Sequence, residues 1–335
     1  MKSIDNLSML FMQESQDSYS QDSYDFHPKK FDDYLGQKEL KEKLALYTRA
    51  ALMRSEPLDH MLLFGPPGLG KTTLAQIMAN VMNVSIKICN GPMLERTGDL
   101  VALLSSLEPK DILFIDEIHR MKVNVEEVLY NAMEHFKVDV IIGQGAGAKS
   151  VNLPISQFTL IGATTKAGMI SAPLRSRFGI IERLDFYSDE DLKEIILQSA
   201  SFIKLNLDDI AALSIARASR ATPRIAKKLL KRVRDFAQVK DIDKIDQEVV
   251  NKALEFLSID KDGLTYVDHL ILKIIIEKFD GGPVGLETIA SMIGEDKDTI
   301  EDVYEPYLMR CGYIEKTPRG RQINYKKLIE LKSKL

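Results

Sequence analysis

Between Phe31 and Leu184, short runs rich in apolar residues alternate with stretches whose apolar positions recur at helical spacing. Met61–Phe64, Ser85–Cys89, Ile112–Ile115 and Phe158–Gly162 are the candidate strands, and the unbroken apolar runs Met61–Phe64 and Ile112–Ile115 have the pattern of strands buried on both faces. The segments between them predict helices starting near Lys71, Gly98 and Val125. Alternation of this kind implies an α/β layer built on a parallel sheet. After Tyr187 the strand pattern stops. "SDEDLKEIILQSASF" opens on Ser188, a good N-cap, with acids in its first turn. Helical periodicity then runs to about Leu257, which predicts a small all-helical domain.

"SIDKDG", Ser258–Gly263, has the composition of a linker. Beyond it, "GLETIASMIG" predicts a helix, "EDK" a turn and "DTIEDVYEPYLMRCG" a second helix. "YIEKTPRGRQINY", Tyr313–Tyr325, places two half-strands about a Pro-Arg-Gly tip. Helix–turn–helix followed by a hairpin is a winged-helix arrangement. The expected division is a tail (1–27), an α/β parallel-sheet domain (28–185), a helical domain (186–257) and a winged-helix head (258–335).

Composition narrows the class. The 335 residues are 45% hydrophobic and 28% charged, enough apolar mass for several cores. No apolar run approaches the roughly 18 residues of a membrane span, and the first residues lack a signal-peptide pattern. Cys89 and Cys311 have no metal-like spacing, which fits reduced thiols in a cytoplasmic protein. The net charge of −4 conceals its distribution: residues 1–26, with the duplication "SQDSYSQDSY", carry one Lys and five acids. Arg217–Lys240 has nine Lys/Arg against one acid, and Arg310–Leu335 has eight against two. Such islands suit either an anionic partner or solvated helix faces.

The chemistry begins at "LLFGPPGLGKTT", Leu62–Thr73. Gly65-x4-Gly70-Lys71-Thr72 is a P-loop in its required setting, with a strand before and a helix after. Backbone N–H groups from Gly68, Leu69, Gly70, Lys71, Thr72 and Thr73 would face phosphate oxygens. Lys71 would reach the β/γ-phosphates, and the Thr72 hydroxyl would ligate Mg²⁺. "ILFIDEIHR" then delivers two carboxylates at a strand's carboxyl end. Asp116 suits the Mg²⁺ shell and Glu117 the attacking water. Phosphoryl transfer also calls for a further cation; "APLRSRFG" offers Arg175 and Arg177, either in that role or as surface ion pairs. His119, His135 and His269 have no metal-ligand spacing.

"DYLGQ", "LFIDEIHR", "FTLIGATTKAG", "APLRSRFGI", "TPRIAKKLLKRVRDFA", "FDGGPVGLETIA" and "TIEDVYEPYLMRCGYIEKTPRGR" occur in this order. Together with the P-loop they resemble the RuvB family, bacterial Holliday-junction branch-migration motors of the AAA+ class, from about residue 27 onward. The resemblance implies an ATP- and Mg²⁺-dependent homohexameric ring that drives duplex DNA through junctions with RuvA, in company with the RuvC resolvase, in recombination and repair. It implies Thr165 as sensor 1, Arg177 as the finger entering a neighbour's ATP site and Arg224 as sensor 2. It places Phe26, His27, Tyr187 and the segment His135, Phe136, Lys137 at the nucleotide. It puts Lys297, Lys316 and Arg321 on DNA. The charge pattern of the hairpin adds Arg319, whereas Glu301, Asp302 and Glu305 make the second helix a poor reader of a phosphate-lined groove.

Val138–Phe158 predicts an inserted hairpin that the resemblance assigns to RuvA docking, with Ile141 and Ile142 as contacts. Two departures from the family stand out. His27-Pro28 replaces Arg-Pro, and Ala221 replaces a glycine in "ATPR", a change that suits a negative φ at residue 221. An ATP-switched initiator or clamp loader is the alternative class. A protein unfoldase is disfavoured by the winged head.

Overall fold

The computed structural model describes residues 26–142 and 149–327; from 140 to 150 side-chain placement is not described. The described chain forms two compact units, one of residues 26–191 with Thr222–Arg224, the other of 192–221 with 225–327.

The first unit is a five-stranded parallel sheet. Helix α1 (Lys38–Arg54) precedes strand β1 (Met61–Phe64), which runs through the glycine loop into α2 (Lys71–Met82). Then come β2 (Ile86–Asn90), α3 (Thr97–Ser105), β3 (Ile112–Asp116) and α4 (Val123–His135). The hairpin β4 (Lys137–Ile142) and β5 (Lys149–Pro154) is antiparallel and, among the described residues, pairs only with itself. Strand β6 (Thr159–Thr164), the short helix α5 (Ala172–Arg175) and β7 (Ile180–Arg183) complete the unit. The sheet order is β2-β3-β6-β1-β7, all parallel. β3 is buried from Ile112 to Ile115, as its continuous apolar run requires, and β6 is buried along its whole length, Thr159 and Thr164 included.

In this unit α1 and β7 are among the elements that escaped the sequence reading. α1 buries Leu40, Leu44, Thr48 and Ala51 on one face. β7 is an edge strand whose alternating burial and charged Glu182 and Arg183 masked its sheet character.

The second unit holds the helical segment and the head together. Helix α6 (Asp189–Phe202) begins in the first unit and is capped by Ser188, whose Oγ accepts from the Asp191 N–H at 3.0 Å. α7 (Asp209–Ala218), α8 (Pro223–Val239) and α9 (Gln247–Phe256) follow. The buried stripe of α8 is Ala226, Leu229, Leu230, Val233 and Ala237; Ile225 and Phe236 are only half-buried. The expected linker is anchored: Ile259 is buried, Asp260 accepts from the N–H of Leu264 at 2.8 Å, and a side chain at Gly263 would strike the Ala218 carbonyl.

The head opens with α10 (Tyr266–Phe279), unpredicted, and continues with α11 (Leu286–Ile293). The second predicted helix is a composite of α12 (Lys297–Thr299), a π turn over Ile300–Tyr304 and α13 (Glu305–Arg310). Pro306 has no N–H to give the ladder, and the π turn ends two residues before it, at Tyr304. Strands β8 (Ile314–Thr317) and β9 (Gly320–Ile323) form the wing. β9 is also bridged on its other side, where Arg321 and Val284 exchange backbone hydrogen bonds of 2.7 and 2.8 Å.

Arg220 and Ala221 are buried and sit side by side in the left-handed region, at φ 51° and 57°. The negative φ on which an easy exchange of glycine for alanine at 221 depends is not met, because the turn entering α8 needs a conformation that favours glycine. Ala221→Gly is expected to stabilise the protein by about 0.5–1 kcal/mol in urea unfolding, as the strain relieved exceeds the entropy added to the unfolded chain.

A second expectation concerns pH. His269 on α10 lies 3.0 Å from Asp260, and this hydrogen bond raises the imidazole pKa. Burial pushes the Asp260 carboxyl up, but His269 and the N–H groups of Leu264 and Asp262 outweigh it and hold the group below its ordinary value. The pair's stability contribution is present in mild acid and is lost as the pH rises through the raised imidazole pKa. The melting-temperature gap between wild type and His269→Ala should therefore be wider near about pH 5.5 than near about pH 8.5.

Candidate functional site: a phosphate cradle, a remote arginine and a cationic wing

The glycine loop turns at the carboxyl end of β1. Gly68 has φ 76°, and a Cβ there would meet the Arg224 Cβ at 3.0 Å. Gly70 caps α2 at φ 96°, with the Tyr34 hydroxyl 2.9 Å from where a Cβ would stand. Lys71 is 7% exposed and donates to the carbonyls of Gly65 at 2.9 Å and Pro66 at 3.0 Å. Burial lowers its pKa; the fields of Asp116 and Glu117 raise it, and Arg224 lowers it. A cation held this way is drawn towards an anionic guest, and Thr72 and Thr73 stand half-buried beside it at the α2 N-terminus.

Strand order brings the carboxylates to the same end. β3 ends at Asp116, β1 at the loop, and β6, between them, ends at Thr164. Asp116 Oδ1 accepts from the Glu117 N–H at 2.9 Å, and Glu117 adopts a left-handed conformation at φ 46°. Thr165 donates to Glu117 Oε2 at 3.3 Å. His119, to which the sequence assigned no chemistry, is 6% exposed, with Nδ1 3.1 Å from Glu117 Oε2 and 2.9 Å from Thr164 Oγ1. It therefore positions the carboxylate.

Tyr187 and Tyr34 close the outer side. The Tyr187 hydroxyl donates to that of Tyr34 at 2.8 Å, and Tyr34 donates to the Leu69 carbonyl at 3.2 Å. Burial pushes both phenol pKa values up. Tyr34 lies within the quoted "DYLGQ", yet nothing local in the sequence marks it as a prop of the loop. The Arg224 N–H donates to the Gly68 carbonyl at 3.3 Å, so the start of α8 touches the cradle directly. Phe26 is half-buried and His27 exposed.

The structure separates the remaining expected nucleotide contacts from this cradle. Arg177 donates from Nη1 to the Pro173 carbonyl and from Nη2 to Glu134, each at 2.7 Å, and its guanidinium carbon stands 4.6 Å from the Tyr130 ring centroid. Its Nε is buried without a hydrogen-bond partner. It shares a hollow with His60, Met133, Glu134 and Ser176. His60 directly precedes β1, so this hollow lies at the strands' amino end. A four-residue strand alone places it roughly 13 Å from the loop.

His135, Phe136 and Lys137 follow Glu134 and belong to this second locus. The Phe136 ring packs near His60 and Phe158, at centroid distances of 6.3 and 6.1 Å. His60 accepts from the Leu160 N–H at 2.9 Å, and its burial lowers its pKa. Arg175 is exposed on α5. Ile141 and Ile142 are paired in the hairpin with Ser150 and Lys149, but their side chains lie outside the described residues, as does the tip at 143–148.

In the head, Lys297 pairs with Glu287 at 3.0 Å and Lys316 with Glu301 at 3.2 Å, all partly exposed. Arg321 differs from the expectation of an open phosphate contact. Its side chain is 11% exposed and is held by Glu305, with Nη2 to Oε2 at 3.0 Å. Glu305 is itself buried, so the acidic face expected of the second helix is partly turned inward. Arg319 is exposed at the wing tip. Replacing Arg319 by Ala should reduce the salt slope of duplex binding by about 1 while leaving the melting temperature unchanged. Arg321→Ala should lower the melting temperature by several degrees, because it strands a buried carboxylate.

Three family models match the chain in succession. They are the Holliday junction DNA helicase RuvB P-loop domain over residues 26–184, the RuvB AAA lid domain over 187–260 and the RuvB C-terminal winged helix domain over 261–332. A Ligilactobacillus salivarius protein named Holliday junction branch migration complex subunit RuvB is 57% identical over 296 residues, 88% of each chain. A Staphylococcus haemolyticus protein of the same name is 55% identical over 289 residues, 86% of this chain and 87% of its own. The Thermotoga maritima RuvB Holliday junction branch migration motor superposes with a TM-score of 0.82 at 50% identity, covering 91% of this chain and 98% of its own.

Proposed function

The chain belongs to the RuvB family, and from that premise we propose that it is an ATPase motor that translocates duplex DNA and drives branch migration at Holliday junctions. The single observation that carries the chemistry is the convergence of Lys71, Asp116, Glu117 and Thr165 at one end of the parallel sheet. Such a constellation serves phosphoryl transfer, where positioned charge supplies most of the catalysis.

The residues fit ATP with Mg²⁺. The buried ammonium and the glycine cradle suit a triphosphate, and Thr72 with Asp116 would hold the ion, which when bound neutralises charge on the phosphate oxygens. Glu117, steered by His119 and Thr165, orients the attacking water. Arg224, at the head of α8, reports phosphate occupancy to the helices that follow, while Tyr187 and Tyr34 support the loop.

Arg177 serves a different copy of the chain. It stands at the opposite end of its own sheet, where its side chain lines a hollow and its buried Nε has no hydrogen-bond partner. An arginine so placed reaches a triphosphate only across a subunit boundary, which supports a ring, a homohexamer in this family. His135, Phe136 and Lys137 would line the same boundary. The β4–β5 hairpin, with Ile141 and Ile142, is the docking element for RuvA, and the RuvC resolvase acts on the same junction. Among the described residues no helix is long and apolar enough to cross a membrane, and we assign the protein to the cytoplasm.

Arg177→Ala is expected to cut ATP turnover by roughly 10³–10⁵ while leaving nucleotide binding intact. Mixing it with Lys71→Ala subunits should restore measurable turnover, because an intact finger then faces an intact cradle. Mixtures that stay as inactive as either parent would refute action across the boundary.

A further inference from the structure

A buried arginine unused by this chemistry lies four residues before Arg224. Arg220 is 3% exposed and faces Asp268, fully buried on α10. Nη1 lies 3.1 Å from Oδ2 and Nη2 3.3 Å from Oδ1. Nη2 also points at the carbonyls of Val303, at 3.2 Å, and Tyr304, at 3.5 Å, both in the π turn. The guanidinium carbon stands 4.8 Å from the Tyr307 ring centroid. Asp268 is anchored in turn, accepting from the N–H of Thr265 at 2.8 Å and from its hydroxyl at 2.7 Å.

A buried ion pair is a poor device for stability alone, since apolar residues of similar volume do as well. Its distinctive property is direction: a planar fork with fixed donors constrains angle as well as distance. Here the fork ties the turn before α8 to two head elements at once, the start of α10 and the composite second helix. Beyond Ala221, the three residues Thr222–Arg224 group with the ATPase unit, and Arg224 bonds the phosphate loop through its N–H. Arg220 and Ala221 between them take the two successive left-handed conformations. Chain held at both ends in this way has little slack.

We infer that Arg220 is a positioning residue that couples the nucleotide site to the DNA-binding head, its bidentate grip on Asp268 and the π turn transmitting displacement of Arg224 to the wing. The inference rests on the motor reading above. It makes no contact with nucleotide or DNA a requirement, so its removal should separate activities that a folding defect would reduce together.

Two variants of the full chain test it. Arg220→Lys keeps the charge and loses the fork. Arg220→Met combined with Asp268→Asn removes both charges, leaving none buried unpaired, and Asn retains a cap for Thr265. ATP turnover without DNA, duplex affinity and junction migration with the RuvA partner are measured for each. The expected result is turnover and affinity close to wild type, with migration per ATP hydrolysed reduced about tenfold. An unchanged ratio overturns the inference, as does a parallel fall of all three measures with the melting temperature. Failure of the wild type to migrate a junction would refute the motor reading and this inference with it; normal migration by wild type and both variants refutes the inference alone.

Discussion

An ammonium group kept almost out of water sets the terms for the rest of the first unit. Lys71 loses hydration by burial and recovers it from two loop carbonyls and from the field of two carboxylates. That arrangement demands that the loop, Asp116 and Glu117 emerge at one end of one layer, which a parallel sheet supplies and an antiparallel one does not. The order β3-β6-β1 then threads Thr164 and Thr165 between acid and loop, where they meet His119 and Glu117. The tyrosine pair under Leu69 holds the loop's outer side, so the carbonyls stay aimed at the cation.

The same directionality divides the functional residues. Parallel strands have two unlike ends, and this sheet uses both. The carboxyl ends carry the cradle, while the hollow beside His60 at the amino end presents Arg177. Subunits arranged head to tail around an axis of order higher than two join unlike faces, so a donor at one end and an acceptor at the other is compatible with a closed ring. Symmetric pairing of two copies through one shared patch would leave both unmet.

What the sequence made legible was whatever chemistry is contiguous. The glycine loop, Asp116-Glu117, the apolar strands and the wing carry their meaning within a few neighbouring residues, and the structure places all of them where the pattern implied. Roles created by distant partners were not legible. Tyr34 matters because of Leu69 and Tyr187, His119 because of Glu117 and Thr164, and Arg220 because of Asp268. The basic islands misled in a particular way: nothing in "TPRGRQ" distinguishes Arg319, exposed at the tip, from Arg321, sequestered by a buried Glu305. Ala221 failed for a related reason, since its positive φ is imposed by anchoring on either side rather than by the residue itself.

The backbone bridge between Val284 and Arg321 has an energetic meaning for the head. Two strands joined by a tip are marginal by themselves, whereas a third chain segment and an internal ion pair keep this ribbon shaped before it meets any ligand. A surface ordered in advance surrenders little freedom when it binds, so more of its contact energy is left for holding on.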